Sequence, residues 1–416
     1  MMRALFAGVS GLRNHQTKMD VIGNNIANVN TVGYKSSRVT FQEAFNQLLQ
    51  GATRPIGGAG GLNPIQIGSG VNLGSTDQLF TQGSLETTGQ PLDLGIQGDS
   101  LFVLSNGGQR EYTRAGNFQL DANGNLISGT TGAKVQGILA DVQGNFTSTS
   151  TLTDISLKLG EKAPANATSL MYLSGNLDAA AAIGTVHTMG TTAYDSAGAA
   201  HDLQVTYTNT GPGAWTWTAT CADAPVTPAT TGTVTFNPDG TLKTFTYPGG
   251  GTDLTLTPAN GGAFKVQLNP GTIGSIDGLS GYANQSNVVV TRQDGYAAGD
   301  LNSISVDAHG IVTGYYNNGI QRSMAQIGLA RFTNPSGLTR IGGNAYAESP
   351  NSGLPAIGFA SGNNSSRITS GALESSNVDI SQEFTDLIVA QRGFQANAKV
   401  ITTADEMLND LVNLKR

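Results

Sequence analysis

Apolar side chains recur at helical spacing at both ends of the chain and at alternate positions between them. Leu5, Val9, Leu12, Met19, Ile22, Ile26 and Val29 are spaced to lie on one stripe of a helix over 3–29. Asn30-Thr31-Val32-Gly33 ends the pattern, and Gly33 can take the left-handed conformation that closes a helix. The C-terminal spacing is stricter. Ile380, Phe384, Leu387, Gln391, Phe394, Ala398, Ile401, Asp405, Leu408 and Val412 alternate steps of four and three, a coiled-coil seam with polar breaks at Gln391 and Asp405. Asp379 with Gln382 has the form of a capping box, and Lys415 and Arg416 stand where the helix dipole favours cations. A helix from Ile380 to Leu414 would be roughly 50 Å long.

Between these helices the period falls to two. Leu92, Leu94 and Ile96, Val205 and Tyr207, Trp215 and Trp217, and Ile304 and Val306 alternate as half-buried strands do. Asn123-Gly124, Thr210-Gly211-Pro212-Gly213, Pro238-Asp239-Gly240 and Asn317-Asn318-Gly319 supply turns. Residues 51–74 are Gly-rich, including Gly57-Gly58-Ala59-Gly60-Gly61. From about 145 to 260, Thr, Ser and Ala dominate, which marks a separate, surface-exposed β domain. The chain therefore reads as mainly β with long terminal α-helices. Two readings fit terminal stripes: a helical hairpin covering a core, or ends that pair with each other and with neighbouring copies to build a rod or tube.

Composition narrows the function. Among 416 residues, 22 Lys and Arg face 29 Asp and Glu, for a net charge of −7. That balance gives no electrostatic reason to bind nucleic acid or an anionic membrane. The 56 glycines and 38% hydrophobic residues describe a turn-rich chain that can still pack cores. The one cysteine, Cys221, excludes an intramolecular disulfide and Cys-based metal sites. No apolar run is long enough to span a membrane. Arg3 before Ala4–Leu12 outlines a secretory signal, but Gly8, Ser10 and Gly11 dilute it and no small-x-small site follows.

Catalytic chemistry is sparse. The sequence holds no phosphate-binding G-x-x-x-x-G-K-[ST] and no G-x-G-x-x-G after a strand. His15, His187, His201 and His309 form no H-x-x-x-H pair. Gly98-Asp99-Ser100-Leu101 resembles the nucleophile block of GDSL-type esterases, which pair it with a base His near the C-terminus. Here the last histidine is His309, with Asp307 at the wrong spacing. A turn between strands is the competing reading. No cofactor, metal or catalytic residue is expected.

Asp20-Val21-Ile22-Gly23-Asn24-Asn25-Ile26-Ala27-Asn28-Val29-Asn30-Thr31-Val32-Gly33-Tyr34-Lys35 resembles the N-terminal signature of bacterial flagellar rod and hook axial proteins. Ser376-Asn377-Val378-Asp379, then Val389-Ala390-Gln391-Arg392-Gly393-Phe394-Gln395-Ala396-Asn397 and on to Met407, resembles their C-terminal signature. Gly83–Leu94 and Tyr112–Phe118 are similar to segments shared by the longer members. Tyr194–Gly198 with His201–Val205, Phe236–Leu242, Ala330–Leu338 and Gly342-Gly343-Asn344 resemble the hook branch. Where that family commonly has a G-x-G-F-F turn, this chain has Gly98-Asp99-Ser100-Leu101-Phe102.

The resemblance implies a nested architecture of helical coiled-coil terminal domain, inner β domain and outer β domain. Its divisions are an N-terminal helix over 1–33, a connector over 34–74, an inner β domain over 75–144 and 296–368, an outer β domain over 145–295, and a C-terminal helix over 369–416. It implies a structural subunit polymerising with itself into a flexible tubular joint, the extracellular hook on the basal body, that transmits motor torque to the filament. Leu5, Val9, Leu12, Met19, Ile22, Ile26, Phe384, Leu387, Phe394, Ile401, Leu408 and Val412 are the expected assembly residues. The implied partners are a distal rod protein, a hook cap protein, a hook–filament junction protein and the flagellar type III export apparatus, with no nucleic acid and no membrane insertion. A distal rod or other axial protein is the alternative; a surface adhesin or secreted esterase is more remote.

Overall fold

The computed structural model describes residues 2–52, 54, 60–141, 144–146, 151–158, 160, 162–361 and 366–413. Gly57-Gly58-Ala59 of the glycine-rich run, and Leu414, Lys415 and Arg416 at the helix end, lie outside them. The chain is mostly β with one helix at each end: α1 (Met2–Ala27) and α2 (Ile380–Asn413). Two compact units divide it, 1–158 with 304–314 and 322–416, and 159–303 with 315–321.

In the first unit, α1 ends in the turn 28–33, where Gly33 has φ +67°. The segment after it, read from its glycines as a connector, contains strands. β1 (Ser37–Glu43) and β2 (Asn46–Gln50) go out, and β3 (Ile65–Gly68) and β4 (Val71–Gln78) return. β1 pairs antiparallel with β4 and β2 with β3. Backbone bonds from Ala44 to Gly70 and from Ser69 to Phe45 carry the ladder between the two halves. The glycine count hid β-branched and apolar positions such as Ile65, Ile67 and Val71, which suit strands.

The β part of this unit is built on the hairpin Leu101–Asn106 and Gln109–Thr113. Lys134–Leu139 and Gln321–Arg331 flank the first of these strands, and Ala345–Ala347 flanks the second. Alternation divides the buried side chains between two clusters. Phe102 and Leu104 pack with Leu94, Ile96, Val135 and Ile327, while Leu101 and Val103 pack with Tyr112, Phe332 and Tyr346. Successive strand side chains face opposite ways, so one strand serves both cores. Leu94–Gln97 pairs with Arg367–Ser370, and Leu85–Thr87 with Ala372–Glu374, which brings the outgoing and returning chain together.

The second unit holds two sheets around one core. Val186–Tyr194, Ala200–Gly211, Ala214–Cys221, Gly232–Phe236 and Leu242–Thr246 form an antiparallel sheet in sequence order. Leu170–Asn176, Leu254–Leu256 and Phe264–Asn269 belong to the other. Leu203, Val205, Tyr207, Trp215 and Trp217 from the first meet Met171, Leu173, Leu256 and Val266 from the second. The turn readings hold locally, since Gly124, Gly213, Gly240 and Gly319 all have positive φ.

Candidate assembly surface

The helix pair joins the two chain ends and carries every one of the expected assembly residues. Small side chains decide how the helices meet. A Cβ on Gly8 would lie 3.0 Å from Ile401 Cγ1, one on Gly11 2.8 Å from Asn397 Nδ2, and one on Gly393 2.5 Å from His15 Cε1. Missing side chains on both helices therefore make room for side chains of the other helix, Ile401 over Gly8, Asn397 over Gly11 and His15 over Gly393. Ala390 and Ala404 are buried, and Leu387, Ala390, Phe394, Asn397, Ile401, Ala404 and Leu408 continue the same face in steps of three and four. Lys18 Nζ sits 3.1 Å from Asp386 Oδ1 farther along the pair.

That contact face is rotated from the seam read in the sequence. Leu387, Phe394, Ile401 and Leu408 are half-buried on it, but Phe384 and Val412 remain 49% and 66% exposed. Gln391 and Asp405 are exposed as well, their places taken by Ala390 and Ala404. The large apolar residues that dominate the sequence pattern include the outward positions; the inward ones are small. On α1, Ile22 is buried, Leu5, Leu12, Met19 and Ile26 are half-buried, and Val9 is exposed. Phe6, Ile380, Ile388, Val389, Val400 and Met407 are also exposed. The pair thus leaves an apolar outer surface in the single chain, beyond the scattered exposed apolar residues that need no explanation.

Asp379 caps α2, its Oδ1 accepting from the backbone of Ser381 at 2.8 Å and Gln382 at 3.2 Å. The reciprocal half of the capping box does not form. Gln382 Nε2 donates instead to Asp386 Oδ2 at 3.0 Å. That bond, together with Lys18 and against the opposing effect of burial, holds the Asp386 carboxyl below its usual range. Burial instead raises Glu383, an effect that the amide of Asn25 and the ammonium of Lys18 oppose and the charge of Asp386 reinforces.

The signature residues near the helix ends form a knot that spacing alone did not reveal. Buried Asn25 donates to Ser37 O at 2.7 Å and to Glu383 Oε1 at 2.9 Å, and its Oδ1 accepts from Ser37 N at 3.0 Å. Tyr34 OH donates to Asn24 Oδ1 at 2.8 Å, under the Arg340 guanidinium 4.7 Å from its ring. Asn377 Oδ1 accepts from Ser36 N, while its Nδ2 donates to Leu79 O, both at 2.8 Å. At Gly33 a Cβ would stand 2.5 Å from Ala115 N, and Gly33 N donates to Glu374 O at 2.7 Å. Beneath them Glu374 receives Lys35 Nζ at 2.7 Å and Arg114 Nε at 2.8 Å, with all three side chains buried. Burial lowers the Lys35 pKa even though Glu374 opposes the change.

The residues of the esterase-like motif make a structural contact. Ser100 is buried and its Oγ accepts from Ser366 Oγ at 2.8 Å. His201 Nδ1 lies 2.9 Å from Asp223, and His309 Nδ1 lies 3.3 Å from Asp307. Among the described residues no cluster of His, Cys, Asp and Glu could hold a metal, and no helix is long and apolar enough to cross a membrane.

Four family profiles match the chain. "Flagella basal body rod protein" covers residues 5–35, "Flagellar hook protein FlgE/F/G D1 domain" 95–170, "Flagellar basal body protein FlaE D2 domain" 166–296, and "Flagellar basal body rod FlgEFG protein C-terminal" 369–414. The flagellar hook protein FlgE of Borreliella burgdorferi is 39% identical, with 100% of each chain covered. The flagellar basal-body rod protein FlgG of Bacillus subtilis is 30% identical, also with 100% of each covered. The solved Helicobacter pylori flagellar hook protein FlgE2 shares the fold at TM-score 0.52 and 16% identity, covering 70% of this chain and 100% of that one.

Proposed function

The chain belongs to the flagellar hook protein family, and from that premise we propose that the α1–α2 pair is its assembly element. It is a structural subunit of the hook, attached to the flagellar basal body, and it polymerises into the flagellar axial structure. The observation that carries the assembly reading is the outer surface of the helix pair. Phe6, Phe384, Ile388, Val389, Met407 and Val412 are all exposed in the single chain. Fully burying such a side chain is worth about 1.5–3 kcal/mol, and covering the exposed part of each between copies is worth about half of that.

On this reading Leu5, Leu12, Met19, Ile22, Ile26, Leu387, Phe394, Ile401 and Leu408 hold the pair together. Val9, Phe384 and Val412 join it to neighbours in a coiled-coil inner wall. The β domains lie outside that wall, nested as inner and outer layers, and torque passes along the continuous helices. A distal rod protein below, a cap and a hook–filament junction protein above, and export of the unfolded chain through the type III apparatus complete the scheme. Electron microscopy of purified protein in ammonium sulfate, which strengthens apolar association, tests it. Curved tubes are expected. Protein that stays monomeric under all such conditions, or that forms only straight rigid rods, would count against it.

A further inference from the structure

Among the described residues nothing covers the distal half of the long hairpin. Phe45 is 71% exposed, and Leu48, Leu49, Ile65 and Ile67 are also exposed. Every residue of β2 and β3 is exposed. A bare two-stranded hairpin is marginal in water, and one with an apolar face needs something to lie on. By alternation from the register Gln47↔Ile67, Phe45, Gln47, Ile65 and Ile67 share one face. Residues 44–52 and 60–70 carry no charged side chain.

A matching surface lies where the helix pair meets β1 and β4. Ala4, Ala7, Gly8, Gly11, Phe41, Val71 and Val400 line most of a cleft of about 440 Å³, joined by Asn14, His15, Gly70 and Asn397. None of these carries a formal charge apart from His15 when protonated. His15 Nδ1 is buried there with no hydrogen-bond partner among the described residues. Such an atom costs free energy until a donor or acceptor reaches it.

We propose that the β2–β3 hairpin of one copy seats in the cleft that α1, α2 and the β1–β4 strands line in a second copy, an inference that rests on the chain being a self-assembling hook subunit. Phe45 and Ile67 fill the apolar floor left by the small residues. Gln47, on the same hairpin face, brings an amide to His15. Both contact faces are uncharged, exposed Arg54 lying between the two strands and outside the contact, so neither side buries an unpaired ion. The hairpin then links copies through a contact made of backbone-ordered strands instead of through the helices alone.

The test uses full-length single-cysteine variants in which Cys221→Ser removes the native thiol. Ile67→Cys and Ala7→Cys proteins of different tag mass are mixed, polymerised and oxidised. A disulfide forms only when the Cα atoms come within about 7 Å. A mixed covalent dimer in the polymer, absent from the unpolymerised mixture, is expected. Polymer without mixed dimer would overturn the contact, as would Ile67→Cys joining Phe384→Cys in place of Ala7→Cys. A chain carrying both cysteines that closes on itself before polymerising would also overturn it, by showing that the hairpin folds into its own cleft. Phe45→Asp should stop polymerisation of a chain whose circular dichroism is unchanged, and Phe45→Leu should restore it. Should the unsubstituted chain never polymerise, the hook-subunit reading fails and takes this contact with it.

Discussion

Lys35 Nζ stands 2.7 Å from Glu374 Oε1 with both side chains buried, although the residues lie 339 positions apart. Arg114 occupies the other carboxylate oxygen at 2.8 Å, so one carboxylate pairs with two buried basic side chains that arrive from the N-terminal turn and the end of the β hairpin. The arrangement ties the base of the helix pair to the first β unit. Glu374→Gln would strand both cations in a site from which water is excluded, and breaking a buried pair in this way costs about 3–5 kcal/mol. A large fall in the unfolding midpoint by urea titration is expected. A loss below about 1 kcal/mol, the usual value of an exposed ion pair, would show that the site is wetter than its burial implies.

Acidic groups at the helix junction make opposite contributions with pH. Burial raises Glu383, so its folded-state pKa exceeds the unfolded one. Folding then takes up protons between the two values, and stability falls as pH rises through that window. Asp386 is lowered, chiefly by its bond to Gln382 and also by Lys18; its contribution is present above the unfolded pKa and is lost as pH falls through the folded one. Glu383→Gln keeps an oxygen to accept from Asn25 while removing the raised carboxyl. The variant should melt higher than the wild type at pH 7 and equally at pH 4. A difference of the same size at both values would exclude ionisation as the cause.

Close approach predicts opposite outcomes for two glycines of one helix. A Cβ on Gly23 would meet nothing within 4 Å, whereas one on Gly11 would meet Asn397 at 2.8 Å. Gly23→Ala should stabilise α1 by about 0.5–1 kcal/mol through helix propensity. Gly11→Leu should instead destabilise by about 1–3 kcal/mol, the typical result of overpacking. Helical circular dichroism during thermal unfolding compares them; equal shifts would mean that the helices do not pack through their glycines.

How far these features could be read in advance depends on what carried the signal. The helix from Ile380, the cap Asp379 and the left-handed Gly33 were visible because apolar period, capping oxygen and glycine each act locally. Alternation gave Val205, Tyr207, Trp215 and Trp217 as strand-interior residues, and all four are buried. The rotated helix face was not visible, because Ala390, Gly393 and Ala404 matter through the bulk they lack. Asn25, Lys35, Arg114 and Asn377 were legible only as parts of family signatures, since their partners lie far away in sequence, and Glu374 lay outside those segments. Strands β3 and β4 were hidden by the glycines around them.

Exposure separates two substitutions on α2. Phe384 is 49% exposed in the single chain, so Phe384→Asp should change monomer stability by no more than about 0.5 kcal/mol. Between copies the same carboxylate would be buried without a partner, at several kcal/mol per contact, and polymerisation should stop. Leu387 faces α1 and is half-buried, so Leu387→Asp should lower both helical melting and assembly. Thermal scans paired with electron microscopy distinguish them. If Phe384→Asp still builds tubes of normal length, the outer face of α2 is not a subunit contact.

Asn166 and Tyr296 exchange two backbone hydrogen bonds of 3.0 Å, so the excursion between them starts and ends at one ladder step. The pairs Lys162↔Asp300 and Ala163↔Gly299 extend that step into a two-stranded stem. The core enclosed by the excursion is its own, built on Trp215, Trp217, Val234 and Leu254. Replacing residues 167–295 with an Asn-Gly turn should therefore close the stem as a hairpin, because that dipeptide supplies the backbone twist two antiparallel strands require. None of the exposed helix residues or the β2–β3 hairpin is touched by the deletion. Export and polymerisation should persist, while tubes lacking this unit should be straighter and more compliant. Electron microscopy of cells carrying the deletion decides the matter: altered tubes support an assembly element confined to the helices and hairpin, and complete absence of tubes would assign that role to the excised domain.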